Sequence, residues 1–447
     1  MDNVQKPIVS NKASFLHQLI AHLREPLHRN AYLLAFSTAS ASLLGAIYWV
    51  LAARFYPAEE VGMHSAIVSS VMFLSGLAQL DLINVLNRFI PNTGRLTTRF
   101  VAYCYLLAIV ASVIASIIFI VGQPIWAQEG SLIENNLPYI LWFTIAVVTW
   151  SIFSLQDSVL TGLRNANWIP VENISANLLR IVLLALFAAS FPFHGILASW
   201  TIPIFLAILP MNYLIFRRLI PIHEQAQITT APIPKVRQIA TFAAGNYVGT
   251  LFFICSTLLL PLIVVGRAGA EANAYFYIVW VIRGSLDLIP MNMAQSLTAE
   301  GALDQANLPL YMRKMWAQMM RLLLPVVLIL CLAAPLVLTI FGASYSANGS
   351  TLLRLVVLAV IPKTLIILYL GAARVLHQPK RIIAIQGSLC VLVLGLSFPL
   401  LDTYGIDGVG FAWLISHALV AGALMLQQLR GRVRAQQSST QGTRFTP

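Results

Sequence analysis

Charge is what this sequence lacks. Only 10% of its 447 residues are Asp, Glu, Lys or Arg, against about 25% in a soluble domain. So few polar groups cannot cover a globular surface, which excludes a water-soluble fold. Metal-ligand spacing is missing too. Cys104, Cys255, Cys331 and Cys390 each sit alone in an apolar run, where an inert buried thiol is expected. No G-x-x-x-x-G-K-[ST] phosphate loop occurs, so ATP hydrolysis by this chain is not expected. Nor does one side carry the large loops of a membrane glycosyltransferase or polymerase; its longest has only about fourteen residues. The expectation is a protein that is not an enzyme and holds no metal or cofactor.

Apolar length is what the sequence has. Hydrophobic residues make up 58% of it, and runs of about 20, enough to cross some 30 Å of hydrocarbon, recur throughout. Twelve membrane helices are expected, at 31–53, 62–84, 99–122, 137–160, 172–192, 195–216, 237–265, 272–296, 318–342, 351–377, 380–401 and 407–428. An amphipathic surface helix is expected over 14–29, within an N-terminal segment 1–30. The polar, Pro-containing stretch 217–236 divides an N-terminal lobe (31–216) from a C-terminal lobe (237–428), and a basic tail covers 429–447.

The net charge of +12 reads as topology rather than as nucleic-acid binding. Of 28 Lys and Arg residues, 22 fall in one set of alternate loops, whereas the opposite loops hold only Arg54 and Arg267. The positive-inside rule puts both termini in the cytoplasm. Glu59, Glu60, Glu271, Asp402 and Asp407 then face outward.

The chain also repeats itself. ARFYPAEEVGM, from Ala53, has a counterpart in GRAGAEANAY, from Gly266: Arg54 matches Arg267 at a spacing of 213 and Ala58-Glu59 matches Ala270-Glu271 at 212. Gly162-Leu163-Arg164 pairs with Ala372-Ala373-Arg374, and Phe193-His194-Gly195-Ile196 with Thr403-Tyr404-Gly405-Ile406, both at 210. Halves of six spans enter the membrane with one orientation, so a parallel repeat about the membrane normal follows, with a cavity between the halves. Leu80-Asp81-Leu82-Ile83 recurs as Leu286–Ile289, but its spacing of 206 marks it as coincidence.

Several stretches resemble one family. AARFYPAEEVGMHSAI is similar to its R-x-x-x-x-x-E-x-G-x-Y junction, with Met63 for the usual aromatic. LDLINVLNRFI resembles its second-span ending, with Asp81 where Gly is commoner; LTIFGASY (Leu338–Tyr345) and FPLLDTYGIDGVGFAWLIS (from Phe398) resemble two later junctions. From about residue 30 to 428 the chain resembles the multidrug/oligosaccharidyl-lipid/polysaccharide (MOP) exporter superfamily, and within it the Wzx-type polysaccharide flippases. That resemblance implies an all-α, V-shaped pair of six-helix lobes of the MOP/MATE kind. It implies transport of an undecaprenyl-pyrophosphate-linked oligosaccharide across the bacterial inner membrane, with a polysaccharide polymerase machinery as further partner. A cation-coupled drug or metabolite exporter of the same superfamily, or a lipid II flippase, is the alternative. Coupling to a proton or sodium gradient stays open.

Four cations fall inside spans: Arg180, Arg283, Arg354 and Lys363. Each costs about 2.5–3.5 kcal/mol on insertion scales, so each needs water, a counter-ion or a substrate. Arg283, Lys363 and Arg180 are the candidate binders of a phosphorylated headgroup. Asp287, one turn beyond Arg283, offers an ion pair. Pro362 should kink the span beside Lys363 and open a cavity wall. Arg354, nine residues before Lys363, should turn to the outer interface, and Arg180 has Glu172 and Asp157 as possible partners. Asp81 and Asn84, in a stripe with Arg88, and the polar residues Asn246 and His417 are candidates for supporting or coupling roles. Arg54 and Glu59, with Arg267 and Glu271 of the other half, are candidates for an outer gate.

Overall fold

In lipid every backbone N–H and C=O must be satisfied within the segment, so long apolar runs close into helices. The protein, described here from a computed structural model, is characterised over residues 26–126, 133, 136–190, 194–226 and 236–442, and no strand occurs among them. The first half comprises α1 (Pro26–Phe55), α2 (Ala58–Ala78), the short α3 (Leu82–Phe89), α4 (Thr97–Trp126), α5 (Leu137–Gly162), α6 (Trp168–Ser190) and α7 (Gly195–Leu214). The second comprises α8 (Val236–Leu258), α9 (Leu260–Leu303), α10 (Leu308–Leu332), α11 (Ala334–Thr339), α12 (Ala343–Leu358), α13 (Val360–Val375), α14 (Pro379–Tyr404) and α15 (Ile406–Gly442).

Eleven stretches of the described residues are long and apolar enough to cross a membrane. The longest, Arg237–Leu303, holds two passes, because α9 breaks at Gly269 (φ 85°, ψ 168°). Only glycine takes that conformation freely, and the break falls where the GRAGAE turn was expected. Dividing the stretch there gives twelve passes. α12 and α13 form one pass with a step at Ala359.

Several boundaries differ from the sequence expectation; the ninth span, expected over 318–342, runs over Leu308–Leu332 with a separate short helix at Ala334–Thr339. The second span begins at Ala58 and stops at Ala78 rather than running to residue 84. Leu80 (φ 48°) and Asp81 (φ 63°) are both left-handed, at a cost of roughly 1–2 kcal/mol each. Apolar spacing runs through this break and neither Gly nor Pro marks it, so periodicity could not reveal it. The expected linker is helical up to Ala226, through a π turn at Ile215–Leu219. The tail stays helical to Gly442. The surface helix expected over 14–29 lies outside the described residues except for 26–29, which begin α1.

The repeat is visible in backbone bonds. After α5, Asn165 N–H donates to Leu160 O (2.8 Å) and Arg164 N–H to Thr161 O (3.0 Å), with Arg164 left-handed. After α13, Gln378 N–H donates to Ala373 O (2.9 Å) and His377 N–H to Arg374 O (3.1 Å), with His377 left-handed. The same C-terminal cap therefore recurs from Arg164 to His377. That corrects the match of Arg164 to Arg374 by three residues and brings it to the spacing of Arg54 and Arg267. Leu286–Ile289 is continuous helix, whereas Leu80–Ile83 begins in a turn at Leu80-Asp81, so that recurrence is coincidental.

The halves meet along α1 and α2 on one side and α8 and α9 on the other. At the end that carries Glu59 and Asp402, a Cβ on Gly62 would lie 1.7 Å from Ala270 O, so only glycine allows this approach. Asn273 Nδ2 donates across it to Gly62 O (2.8 Å) and Ser65 Oγ (3.1 Å). Midway, Trp49 packs edge-on to Tyr277 at 4.6 Å, and the Ser42 and Ser285 hydroxyls are 2.9 Å apart. Toward the opposite, basic end, Tyr247 donates to Leu77 O (2.5 Å).

Candidate functional site

Helical spacing puts Trp280, Arg283 and Asp287 on one face of α9. Pro362 cannot donate to the preceding turn, and the step at Ala359 precedes it; the next helical turn carries Lys363. Asp287 Oδ2 is 2.7 Å from Lys363 Nζ and 3.2 Å from Arg283 Nη1. One carboxylate oxygen thus faces two cations, and the triad keeps a formal charge of +1. Lys363 donates a hydrogen bond to it, whereas Arg283 Nη1 makes ion-pair contact without hydrogen-bond geometry and Nε has no hydrogen-bond partner.

Aromatic faces complete the enclosure. Arg283 Cζ lies 3.9 Å from the Trp280 ring centre and 4.9 Å from that of Trp413 on α15, and Lys363 Nζ is 5.0 Å from Trp413. Each such contact contributes about 0.5–2 kcal/mol in a desolvated place. His417, one turn beyond Trp413, sets its ring 4.3 Å from the indole and its Nδ1 2.8 Å from Trp413 O. None of Arg283, Asp287, Lys363 and His417 is more than 7% exposed.

A cavity of about 430 Å³ adjoins the triad, with Lys363, Trp413 and His417 in its wall. It follows α13 toward the basic end as far as Arg374, which is ~16 Å along the helix axis. Its polar lining includes Asn246, Thr250, Gln295 and Gln386, and Asn84 reaches it from the first half. This corrects the expected position between the halves. Trp49 and Tyr277 pack across the interface midway, and the cavity is lined by the second half apart from Asn84.

The three expected binders do not converge. Lys363 lines the cavity, Arg283 stands behind it, and Arg180 belongs to the first half. Arg180 Nη1 donates to Asn177 Oδ1 (3.2 Å), and its Cζ lies 4.9 Å from the Trp200 ring and 5.8 Å from that of Trp150. It pairs with neither Glu172 nor Asp157, contrary to expectation, because indole faces hold it instead. Arg354 is exposed and donates from Nε to Cys331 O (3.1 Å), directed away from Lys363 as its spacing implied.

The supporting residues separate as well. Asp81 precedes α3 and accepts from Asn84 Nδ2 at 2.7 Å, so their expected stripe on one continuous helix is instead broken by a left-handed turn that leads into α3. Arg88 lies over Phe242 at 4.3 Å. Of the four gate residues, only Arg54 bridges the halves, donating to Ile340 O (2.8 Å) and Thr339 O (3.0 Å) just beyond α11 and at its end. Arg267 pairs with Asp402 (2.6 Å), Glu271 accepts from Tyr275 (2.5 Å), and Glu59 is exposed. The backbone contact at Gly62 holds the halves close at that end, and the four charged residues do not form a network across it. Sequence reasoning missed Trp280 and Trp413 as the cations' aromatic partners; the i, i+3 spacing of Trp280 and Arg283 was the available signal.

Comparison with known proteins adds a family. Residues 27–294, more than half of the chain, match the model of the polysaccharide biosynthesis protein family. No curated protein matches it in sequence. Among solved structures, it is similar to an inward-facing multidrug resistance MATE transporter of the MOP superfamily (TM-score 0.70, 15% identity, 88% of this chain and 94% of that one). It is also similar to a MOP-superfamily transporter from Pyrococcus furiosus, described by a reversed polarity of the binding pocket that suggests a different function (TM-score 0.64, 14% identity, 92% and 96%). At these identities the likeness establishes the fold alone, an all-helical bundle of the kind these transporters have.

Proposed function

The chain belongs to the polysaccharide biosynthesis protein family, and from that premise we propose that it is a flippase for a lipid-linked oligosaccharide. It takes an undecaprenyl-pyrophosphate-linked glycan from the cytoplasmic leaflet of a bacterial inner membrane and delivers it to the outer leaflet by alternating access. The basic end of the bundle is the cytoplasmic one in this reading, with both termini there.

One observation carries the proposal: Lys363, from a triad of net charge +1, stands in the wall of a cavity that mixes polar and apolar lining. A pyrophosphate supplies the missing negative charge, and a guanidinium offers it paired donors. Asn246, Gln295 and Gln386 present amides to sugar hydroxyls. At about 430 Å³ the cavity has the size of a small-ligand site, so it receives the phosphate and the first sugars while the polyprenyl tail stays in the bilayer. Asp287 holds both cations in place until the phosphate arrives. Pocket polarity was also the guide to function for the Pyrococcus furiosus relative.

The test is glycan transport by Lys363→Gln and Arg283→Gln variants, in cells and in proteoliposomes, at matched protein levels. We expect at least a tenfold loss for Lys363→Gln, a gap of about 1.4 kcal/mol, and partial retention by Lys363→Arg. Unchanged transport by both Gln variants removes the triad from the mechanism. Efflux of cationic dyes that depends on Asp287 rather than Lys363 would favour the drug-exporter alternative.

A further inference from the structure

The cavity wall that holds Lys363 also carries an acceptor for which a phosphate has no use. His417 is 3% exposed and lines the cavity. Its Nδ1 is 2.8 Å from Trp413 O. A carbonyl only accepts, so Nδ1 carries a proton and the neutral ring has its lone pair on Nε2. Nε2 has no hydrogen-bond partner among the described residues. Such a lone pair repels a phosphate oxygen and bonds a hydroxyl or an amide N–H. The side chains of Gln295 and Gln386, in the same lining, are likewise unbonded among the described residues.

A second feature is room. Phe242, Gly245, Asn246, Gly249, Thr250 and Phe253 recur at three and four residues and turn one face of α8 to the cavity. Glycine weakens a helix interior relative to alanine, and in a membrane its usual return is the close approach of another helix. Gly249 has that return, because a Cβ there would lie 3.2 Å from Ile382 Cγ2. Gly245 does not: a Cβ would meet nothing within 4 Å, and its φ is not left-handed. What the missing side chain leaves is width in the cavity. Thr257 O accepts from Trp280 Nε1 at 3.2 Å, which sets α8 level with α9. The two helices run antiparallel from there, so Gly245 lies roughly 8 Å beyond Asp287 toward the basic end.

We propose that the cavity demands a sugar on its diphosphate: His417 Nε2 accepts from a hydroxyl or amide of the sugar next to the phosphate, and Gly245 leaves space for the ring. Glycosylated polyprenyl diphosphate is then taken and the bare carrier lipid refused. This rests on the flippase reading above and says which of two diphosphates is cargo. Both lipids offer Lys363 the same anion. The bare one leaves His417 Nε2 and two amides unpaired, and a site built to hydrogen-bond a group rejects the analogue that lacks it. His417 and Gly245 therefore set specificity, while the triad supplies attraction. Once the glycan has been removed on the far side, the empty lipid does not return through the same cavity.

The full-length protein in detergent provides the test, titrated by calorimetry with a short-chain polyprenyl diphosphate and with the same lipid carrying an oligosaccharide. Wild type should bind the glycosylated lipid at least about tenfold more tightly. His417→Phe keeps a ring and removes the acceptor. It should weaken the glycosylated lipid about tenfold and the bare one less than about twofold, so the preference collapses. His417→Gln, whose amide oxygen accepts, should recover part of it. Gly245→Leu fills the space with a better helix former and should also penalise the glycosylated lipid alone, so the test survives if a His417 variant does not fold. Lys363→Gln should weaken both lipids. Equal binding of the two lipids by wild type, variants that keep the full preference, or losses equal for both lipids overturn this inference and leave the flippase reading standing. Binding of neither lipid by wild type overturns both.

Discussion

The two halves repeat one architecture and bury charge in opposite ways. In the second half two cations share Asp287 and lie against Trp280 and Trp413, so each has a partner before any ligand enters. In the first half both Glu172 carboxylate oxygens and Asp157 Oδ1 are buried without a hydrogen-bond partner. A buried charge with its counter-ion is held by the protein, and a ligand can only compete for it. A buried charge without one must be completed from outside. Arg180 stands between these cases, roofed by indoles yet paired with no carboxylate.

That contrast is broken most forcefully at Asp287. Asp287→Asn leaves Arg283 and Lys363 buried without a counter-ion and should cost about 3–5 kcal/mol, read as a large fall in unfolding temperature. Glu172→Gln removes a charge that had no partner and should leave stability equal or higher in the same measurement. If the two variants behaved alike, the distinction between the halves would fail. The double variant Asp287→Asn, Lys363→Met should recover much of the loss, because it leaves only one buried cation, and a double-mutant cycle reads the difference.

Trp413→Leu is a milder probe. It removes the aromatic face shared by Arg283 and Lys363 and should cost about 1–2 kcal/mol beyond the packing loss, read as the gap between its destabilisation in wild type and in Lys363→Met. The smallest effect should come from Asp402→Asn. Its pair with Arg267 is half-exposed, worth about 0–1 kcal/mol and screened by salt, so its unfolding temperature should converge with that of wild type in concentrated salt.

Apolar run lengths were enough to place the passes, since lipid leaves a long apolar segment one way to satisfy its backbone. The ion pair at Arg283 and Asp287 was legible because both residues lie on one helix, four apart. Lys363 joins from a helix distant in sequence, and no local pattern announces that 2.7 Å contact. The break at Leu80-Asp81 was hidden for a related reason: tertiary packing holds those residues left-handed, against their own preference. Grouping Arg54 and Glu59 with Arg267 and Glu271 followed from matching positions in the repeat. Sequence matching locates equivalent residues, whereas side chains bond whatever lies nearest, for Arg54 the carbonyls at the end of α11.

The left-handed pair at Leu80 and Asp81 also divides labour along one pass. α2 above it is locked to α9 through Gly62, whereas α3 below it brings Asn84 to the cavity rim. A rigid rod through both would force the rim to follow every tilt of the sealed end. The break at Leu80-Asp81 lets the two segments of the pass take different directions, so the rim is not bound to the line of the sealed end.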